Sequence, residues 1–403
     1  MATVTRRVAW QQPAILGYGF RPFFLFGALH AALAIVLWVP WFLGLKAVAT
    51  TLPPVAWHAH SLLFGYVPAV IAGFLLTAIP NWTGRPPLVG WPLAALVSLW
   101  LAGRLAVIVP ASLGPWSAAL LDLTFLAALT AIAAREVVSA RNWRNVKVLV
   151  LLAILLFAQG LFHWEVERFG RPEMSDRLAI GTVLTLITLI GGRIVPSFTS
   201  NWIRRSNPGP LPRPPGTFDT LATTAGIVAL GTWIATAQMN VPGWAGGGIL
   251  VLAGLLHLVR QARWAPHRTL REPLVAILHA AYFFVPLGYI LTGAAELSHG
   301  HIAASAGIHA WTTGAIGTMT LAVMTRASLG HTGRPLAATR TTIAIYGAVL
   351  LAALLRIASA LAPHLTLLLL PAAGIAWIVA FAAFAAAYGP MLLRRRRDTP
   401  ASP

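Results

Sequence analysis

The sequence predicts an all-α integral membrane protein with twelve transmembrane helices, and three observations support this fold class. Of the 403 residues, 58% are hydrophobic and only 10% are charged, which excludes an ordinary soluble domain. Twelve apolar stretches approach the roughly 20 residues that a helix needs to cross a hydrocarbon core about 30 Å thick. The sequence also contains internal repeats, which predict three related units of four helices each.

The whole chain, 1–403, is predicted to form a single membrane domain because its connections are short. The longest connection, 201–215, is rich in proline, which favours an extended segment over a folded domain. The first apolar stretch is a full span without a small-residue cleavage site behind it, so no cleavable signal peptide is predicted. In chain order the predicted spans are 22–43, 56–80, 91–109, 115–134, 147–166, 178–197, 218–237, 243–260, 273–295, 302–325, 340–361 and 365–389.

The repeats are anchored by the tetrapeptide Thr-Gly-Arg-Pro, which occurs at 83–86 and again at 332–335, 249 residues later. Counting back 23 residues from each threonine reaches a histidine, His60 in the first copy and His309 in the second. A partial third copy lies between them, because Asn81-Trp82 recurs as Asn201-Trp202. These offsets predict repeat units of approximately 14–136, 137–262 and 263–392. Three units of four spans around a pseudo-threefold axis also describe subunit I of the haem–copper oxidases, a likeness at the level of fold alone.

The net charge of +19 can be interpreted only from the positions of the Lys and Arg residues along the chain. If the N-terminus lies in the cytoplasm, 22 of the 29 Lys and Arg residues fall in cytoplasmic segments. This asymmetry is typical of multi-span membrane proteins and predicts that both termini are cytoplasmic. Topology therefore explains the charge, and no nucleic-acid partner is predicted. The arginine run at 394–397 is expected to contact anionic membrane lipid.

The absence of cysteine restricts the metal chemistry that the chain can support. Disulfides, iron–sulfur clusters and thiolate metal sites are excluded together. Any metal must be held mainly by imidazole, which suits copper, zinc and haem iron. The 12 histidines are therefore the first candidates for ligands.

His60 and His309 are predicted to lie at the same depth in the second and tenth spans. Haem iron takes two axial ligands from opposite faces of the ring, and a slot between two helices can supply them. The register therefore predicts one bis-histidine haem site, and the alternative is a histidine pair that stabilises helix packing by hydrogen bonds. The corresponding position of the middle repeat is Ile180, which offers no ligand.

A second group of candidate ligands is predicted near the outer side of the membrane. His58 and His60, two residues apart on a helix, point about 200° away from each other, so they suit two cofactors unless the helix begins after His58. His163 ends the fifth span and is placed to join His58 at a copper centre, with Glu165 as a supporting carboxylate or proton acceptor. The alternative for these histidines is an interfacial position beside a tryptophan.

Other ionisable residues inside spans are also candidates, because burying them without a role is costly. His279 lies about six residues into the ninth span and is predicted to ligate a metal. Arg104 and Arg356 suit contacts with haem propionates, and for Arg104 an ion pair with Asp122 on the adjacent helix is the alternative. Solvated or loop positions are expected for His257, His267, His299, His301 and His364, a loop-bracing position for His331, and His30 is left open.

Four stretches of this sequence resemble motifs of the NnrS family: 57–60, 73–84, 191–201 and 317–334, which begin Trp-His-Ala-His, Gly-Phe-Leu-Leu, Gly-Gly-Arg and Gly-Thr-Met. The resemblance covers nearly the whole chain. It implies a bacterial inner-membrane protein that contains haem b and copper and is associated with denitrification and with protection against nitric oxide stress. Family members often have Glu directly after the second histidine of the first motif, where this chain has Ser61, so a proton-delivering carboxylate is not expected there.

Two functional hypotheses follow. The first is a haem–copper protein that binds and reduces nitric oxide, with catalytic roles for His58, His163 and Glu165. Its electron donor is unknown, because the sequence contains no recognisable docking motif for a quinone or a cytochrome. The alternative is a non-catalytic binder or transporter of haem, copper or an iron–nitrosyl species. Helices interrupted at Pro68, Pro286 or Gly191-Gly192 would favour this alternative.

Overall fold

The computed structural model describes residues 13–108, 114–236, 243–298 and 300–395, and these parts of the chain are helical with no β-strand. Eleven of the described helices are long and apolar enough to cross a membrane. The tenth predicted span is also helical, although it is richer in threonine and glycine and therefore less apolar than the others. The predicted all-α membrane fold is confirmed.

The helices follow the predicted spans in order, and most extend a few residues beyond them. Two of them, α2 and α10, contain a π-helical segment, and α10 consists of the three pieces Ala304–His309, Ala310–Gly317 and Thr318–His331. The other bounds are α1 Phe20–Phe42, α2 Pro54–Thr83, α3 Trp91–Ile108, α4 Pro115–Ser139, α5 Trp143–Phe169, α6 Met174–Ser206, α7 Thr217–Ala235, α8 Gly243–Ala262, α9 Pro273–Leu297, α11 Arg340–Leu361 and α12 Pro363–Leu393.

The repeated tetrapeptide ends a helix in both of its copies. Gly84 and Gly333 adopt left-handed backbone conformations with φ of 69° and 72°, which glycine reaches without steric cost. Each preceding threonine donates its hydroxyl to a carbonyl four residues back, Thr83 at 2.8 Å and Thr332 at 2.6 Å. The Thr-Gly-Arg-Pro repeat is thus a helix-terminating motif.

The repeat also extends to an uncommon backbone feature. In α2 the π-helical segment Ser61–Tyr66 begins directly after His60, and in α10 the segment Ala310–Gly317 begins directly after His309. Such segments are rare, and they frequently occur at functional sites. The two histidines therefore share a local backbone environment as well as a sequence register.

The contacts divide the chain into two compact units. Unit 1 comprises 1–176, 324–336 and 381–403, and unit 2 comprises 177–323 and 337–380. In unit 1, α2 packs against α1 and α4, while α4 also packs against α3 and α5. In unit 2, α8 packs against α7 and α9, and α10 packs against α9 and α11. The three predicted repeat units and their pseudo-threefold axis stay predictions.

The helix breaks considered for a transporter are absent from the helices concerned. α9 runs continuously through Pro286, and α6 runs continuously through Gly191 and Gly192. At Pro68 the helix also continues, two residues after the π-helical segment of α2 ends.

Candidate metal centre

Three helices of unit 1 bring a group of possible metal ligands together. His60 of α2, Asp122 of α4 and His163 of α5 each offer one ligand atom, and these atoms lie within 4.8 Å of one another. The Oδ2 atom of Asp122 lies 2.7 Å from Nε2 of His60 and 2.9 Å from Nε2 of His163. The side chains of His60 and Asp122 are fully buried, while that of His163 is 10% exposed.

Asp122 is the centre of this cluster. Besides the two histidines, Oδ2 accepts a hydrogen bond of 2.7 Å from Nε2 of Gln159. Oδ1 forms an ion pair with the buried guanidinium of Arg104. A buried carboxylate needs such partners, because an isolated charge in an apolar interior is very costly. The ion pair between Arg104 and Asp122, which was one of two alternatives predicted from the sequence, is therefore present. A contact of Arg104 with a haem propionate stays a prediction.

Two glycines make room for this arrangement. A Cβ atom at Gly103 would lie 3.0 Å from Oδ1 of Asp122, so α3 and α4 can approach only because that position has no side chain. Gly65 lies in the π-helical segment, where a Cβ would collide with both Arg104 and Nε2 of His30. The carbonyls of this segment are also used, since Ser61 accepts from His30 at 2.9 Å and Gly65 accepts from Trp100 at 2.9 Å.

We expect Gly65→Ala to disturb the cluster through Arg104. The added methyl group would push Arg104 and His30 aside, at a cost of about 1–3 kcal/mol for overpacking a filled site. Thermal unfolding in detergent measures this loss. Gly231→Ala in α7 is the matched control, because a Cβ there meets nothing within 4 Å. Equal stability of the two variants would contradict the packing role of Gly65.

The donor set fits a transition metal that prefers nitrogen and oxygen ligands. Two imidazole nitrogens and one carboxylate oxygen suit copper(II), zinc or iron(II). Ligands about 2.0–2.2 Å from one ion lie roughly 3 Å or slightly more apart, which is close to the 2.7 and 2.9 Å separations in the cluster. In addition, Oδ2 is the target of three nitrogen donors, one more than its two lone pairs serve well. A cation in place of two of those protons would relieve this crowding.

The family model described as NnrS protein matches residues 14–396, nearly the whole chain. The chain belongs to the NnrS family. Comparison with curated proteins gives no match. Membership supports a multi-pass membrane protein linked to nitric oxide.

Within this NnrS protein, two of the predicted metal ligands, His60 and His163, lie in one cluster. His58 is not part of that group. Its ring stacks on Trp38 with the centroids 4.0 Å apart. From the sequence, Asp122 was considered only as a partner of Arg104, and its place in the cluster was missed. The available signal was a carboxylate inside a span, which is rare and usually functional. A copper-binding role for His58 stays a prediction.

Glu165 contacts a helix terminus. Its carboxylate accepts hydrogen bonds from the backbone N–H groups of Glu173, Met174 and Ser175 at 3.0–3.1 Å, and from Oγ of Ser175 at 2.5 Å. These groups form the first turn of α6, where a negative charge is stabilising. A structural role is therefore visible for Glu165, and its predicted catalytic role is untested.

We expect Glu165→Gln to loosen the start of α6 without changing metal binding. Neutralising the acceptor weakens four hydrogen bonds, with an expected loss of about 1–2 kcal/mol. Thermal unfolding and copper content, measured on the same preparation, check both parts. Glu167→Gln on the exposed side of α5 is the control. Loss of bound copper in Glu165→Gln with unchanged stability would instead support the catalytic role.

The other predicted ligands, His309 and His279, belong to unit 2. Nδ1 of His309 donates a hydrogen bond of 2.6 Å to the carbonyl of Ser305. This bond fixes the tautomer in which Nε2 carries the lone pair, the arrangement typical of metal-bound histidine. His279 is buried, and its Nε2 is hydrogen-bonded to Thr199 at 2.8 Å.

The weaker histidine assignments have mixed outcomes. Exposure is confirmed for His267, His301 and His364, and His299 lies outside the described residues. For His257 the prediction of a solvated position is wrong, because this residue is fully buried. Counting from the helix end suggested solvent, but α8 is packed between α7 and α9 there. The sequence left the role of His30 open. In the structure its Nε2 donates a hydrogen bond of 2.9 Å to the carbonyl of Ser61, the residue that follows His60.

Proposed function

We propose that this protein is a haem- and copper-binding protein of the bacterial inner membrane, with both termini in the cytoplasm, and that it binds and reduces nitric oxide. The observation that carries the proposal is the buried cluster of His60, Asp122 and His163 in a chain of the NnrS family. The donor set suits copper(II), zinc and iron(II), and among these we assign copper because the resemblance to the NnrS family implies a copper-containing protein.

The reaction consumes two molecules of nitric oxide, two electrons and two protons, and it yields nitrous oxide and water. Bound copper would supply an open coordination position and one-electron chemistry. The protein residues would orient that position. His60, His163 and Asp122 would hold the metal, while Gln159 and Arg104 hold the Asp122 carboxylate in place.

The three candidate ligands of the cluster differ in their exposure. The side chains of His60 and Asp122 are 0% exposed, whereas His163 is the ligand whose side chain is 10% exposed. We therefore place the entry of nitric oxide and of protons on the His163 side of the cluster. Arg104 compensates the charge of Asp122, so the cluster with neutral histidines carries no net charge before the metal binds.

Haem is assigned to unit 2 in this proposal. The hydrogen bond from Nδ1 of His309 to Ser305 prepares Nε2 as an axial ligand. His279, buried in the same unit, is a second candidate ligand. The shared bis-histidine site of His60 and His309, expected from the sequence register, stays a prediction.

The proposal is tested on purified full-length protein. We expect a haem Soret band, copper by elemental analysis, and nitrous oxide production from nitric oxide with a chemical reductant. Absence of both cofactors would end the proposal. Cofactor binding without turnover, together with metal uptake into proteoliposomes, would favour the binder or transporter hypothesis. His364→Ala, at an exposed position, controls for the general loss of a histidine.

A further inference from the structure

Unit 2 contains a continuous chain of buried aromatic rings. Successive ring centroids along it are 4.5, 6.1, 5.5, 5.2 and 5.1 Å apart. Every member is at most 4% exposed. In order, the members are Trp264, Tyr282, His257, Tyr289, Trp311 and Trp233. Tryptophan and tyrosine are the most easily oxidised of these side chains, so this chain is suited to electron transfer in short steps.

The aromatic chain extends from one end of the unit to the other. Trp264 lies two residues beyond the end of α8, and Trp233 lies two residues before the end of α7. Because α7 and α8 are consecutive membrane helices, they cross in opposite directions, and their C-terminal ends lie on opposite sides. Trp311 lies in the π-helical segment two residues after His309, so the chain also passes the repeated histidine.

Tyr282 differs from the other members in its hydrogen bonds. Its hydroxyl lies 2.9 Å from Nδ1 of His257 and accepts a hydrogen bond of 2.9 Å from Nη1 of Arg260. Since Arg260 can only donate, the phenolic proton has His257 as its acceptor. Arg260 is held in place by Asp219, whose Oδ1 is 3.1 Å from Nε.

Tyr289 provides the comparison within the same helix. Its ring stacks on His257 with the centroids 5.5 Å apart, but its hydroxyl donates to the carbonyl of Gly226 at 3.0 Å. A peptide carbonyl is far too weak a base to take up a proton. Oxidation of a buried tyrosine releases its phenolic proton, so a nearby base decides where an oxidising equivalent settles.

Two glycines leave space for His257 and Arg260, the hydrogen-bond partners of Tyr282. A Cβ at Gly226 would lie 2.6 Å from Nε2 of His257, and one at Gly192 would collide with the guanidinium of Arg260. The second glycine of the 191–201 stretch, Gly192, is therefore explained by the room that Arg260 requires.

We propose that the aromatic chain of unit 2 carries single oxidising equivalents through the protein and that they settle on Tyr282. In this step a one-electron oxidant takes an electron from the chain, Tyr282 becomes a neutral tyrosyl radical, and its proton moves to Nδ1 of His257. With an oxidising nitrogen oxide such as nitrogen dioxide, the other product is nitrite. Charge balances, because the imidazolium of His257 accompanies the nitrite anion. A thiolate at the Trp264 end then gives one electron to the chain and becomes a thiyl radical, and the proton returns from Nδ1 of His257 to restore Tyr282.

The test uses the full-length protein in detergent and hexachloroiridate(IV) as the oxidant, with the radical detected by electron paramagnetic resonance after rapid freezing. We expect a tyrosyl radical in the wild type and its loss in Tyr282→Phe. In Tyr289→Phe, which removes one ring of the chain but leaves Tyr282 and His257 in place, we expect slower formation and retention of the radical. His257→Asn keeps Tyr282 but removes the base, and we expect about tenfold less radical or lower. An unchanged signal in Tyr282→Phe, or loss of the signal in Tyr289→Phe, would overturn the proposal.

Two further measurements keep the test independent of folding defects. On the wild type, radical formation should be slower in deuterium oxide, because a proton moves in the same step, and equal rates would contradict the transfer to His257. Replacement of both Trp264 and Trp311 by phenylalanine should slow formation of the Tyr282 radical by about tenfold. Trp244→Phe, which removes a 71% exposed tryptophan from the same unit, should leave the rate unchanged. Equal rates in the double variant and in Trp244→Phe would exclude transfer along the chain.

Discussion

Replacing Asp122 with asparagine will remove metal from the cluster in unit 1 and destabilise the protein by about 3–5 kcal/mol. The amide keeps the size of the side chain but removes the charge that compensates Arg104, which is 6% exposed. It also removes the anionic acceptor of His60 and His163. Thermal unfolding and copper content of the purified variant measure the two effects.

A double variant separates the structural role of Asp122 from its metal-binding role. Arg104→Met combined with Asp122→Leu replaces the buried ion pair by apolar side chains of similar volume, an exchange that is often neutral or stabilising. We expect this variant to recover the part of the lost stability that comes from the unpaired charge of Arg104 and still to lack copper. Recovery of copper together with stability would show that Asp122 is not a ligand.

Replacing either histidine of the cluster will lower bound copper, and replacing His309 will remove haem while copper remains. His60→Ala and His163→Ala each delete one of three ligand atoms that lie within 4.8 Å of one another. We expect copper affinity to fall by at least about 100-fold in each, the upper end of the loss seen when only a supporting residue is removed. His309→Ala deletes the nitrogen prepared by Ser305. Elemental analysis and absorption spectra of the three variants test these assignments.

The same spectra decide between the two arrangements considered for His60. If His60→Ala and His309→Ala abolish one and the same low-spin haem signal, the two residues share a haem as the register predicts. His163→Ala is expected to leave that signal largely intact in either case. His364→Ala, exposed and outside both units' proposed sites, should change neither copper nor haem.

The membrane fold and the repeat could be predicted from the sequence because both leave periodic or literal traces in it. Crossing a hydrocarbon layer requires about 20 apolar residues per helix, and each predicted span overlaps one of the helices α1 to α12 in the described part of the chain. The Thr-Gly-Arg-Pro repeat marked two helix ends, since only glycine readily adopts the left-handed conformation found at Gly84 and Gly333. The repeat also put His60 and His309 at equivalent positions in the sequence, and in the structure each lies directly before a π-helical segment. The π-helical segments themselves had no recognisable signal in the sequence.

The partners of the buried polar residues were decided by the tertiary structure alone. His60 meets Asp122 across 62 residues and Asp122 meets His163 across 41, separations that no helical period encodes. Likewise, His257 could not be recognised as buried, because its contact with Tyr282 depends on how α8 packs against α9. An apolar stretch determines how long a membrane-spanning helix must be, and the distribution of Lys and Arg predicts which end faces the cytoplasm. The rotation of each helix about its axis, and therefore the choice of polar partner, is determined by side-chain packing and by the cost of leaving a buried charge or hydrogen-bonding group without a partner.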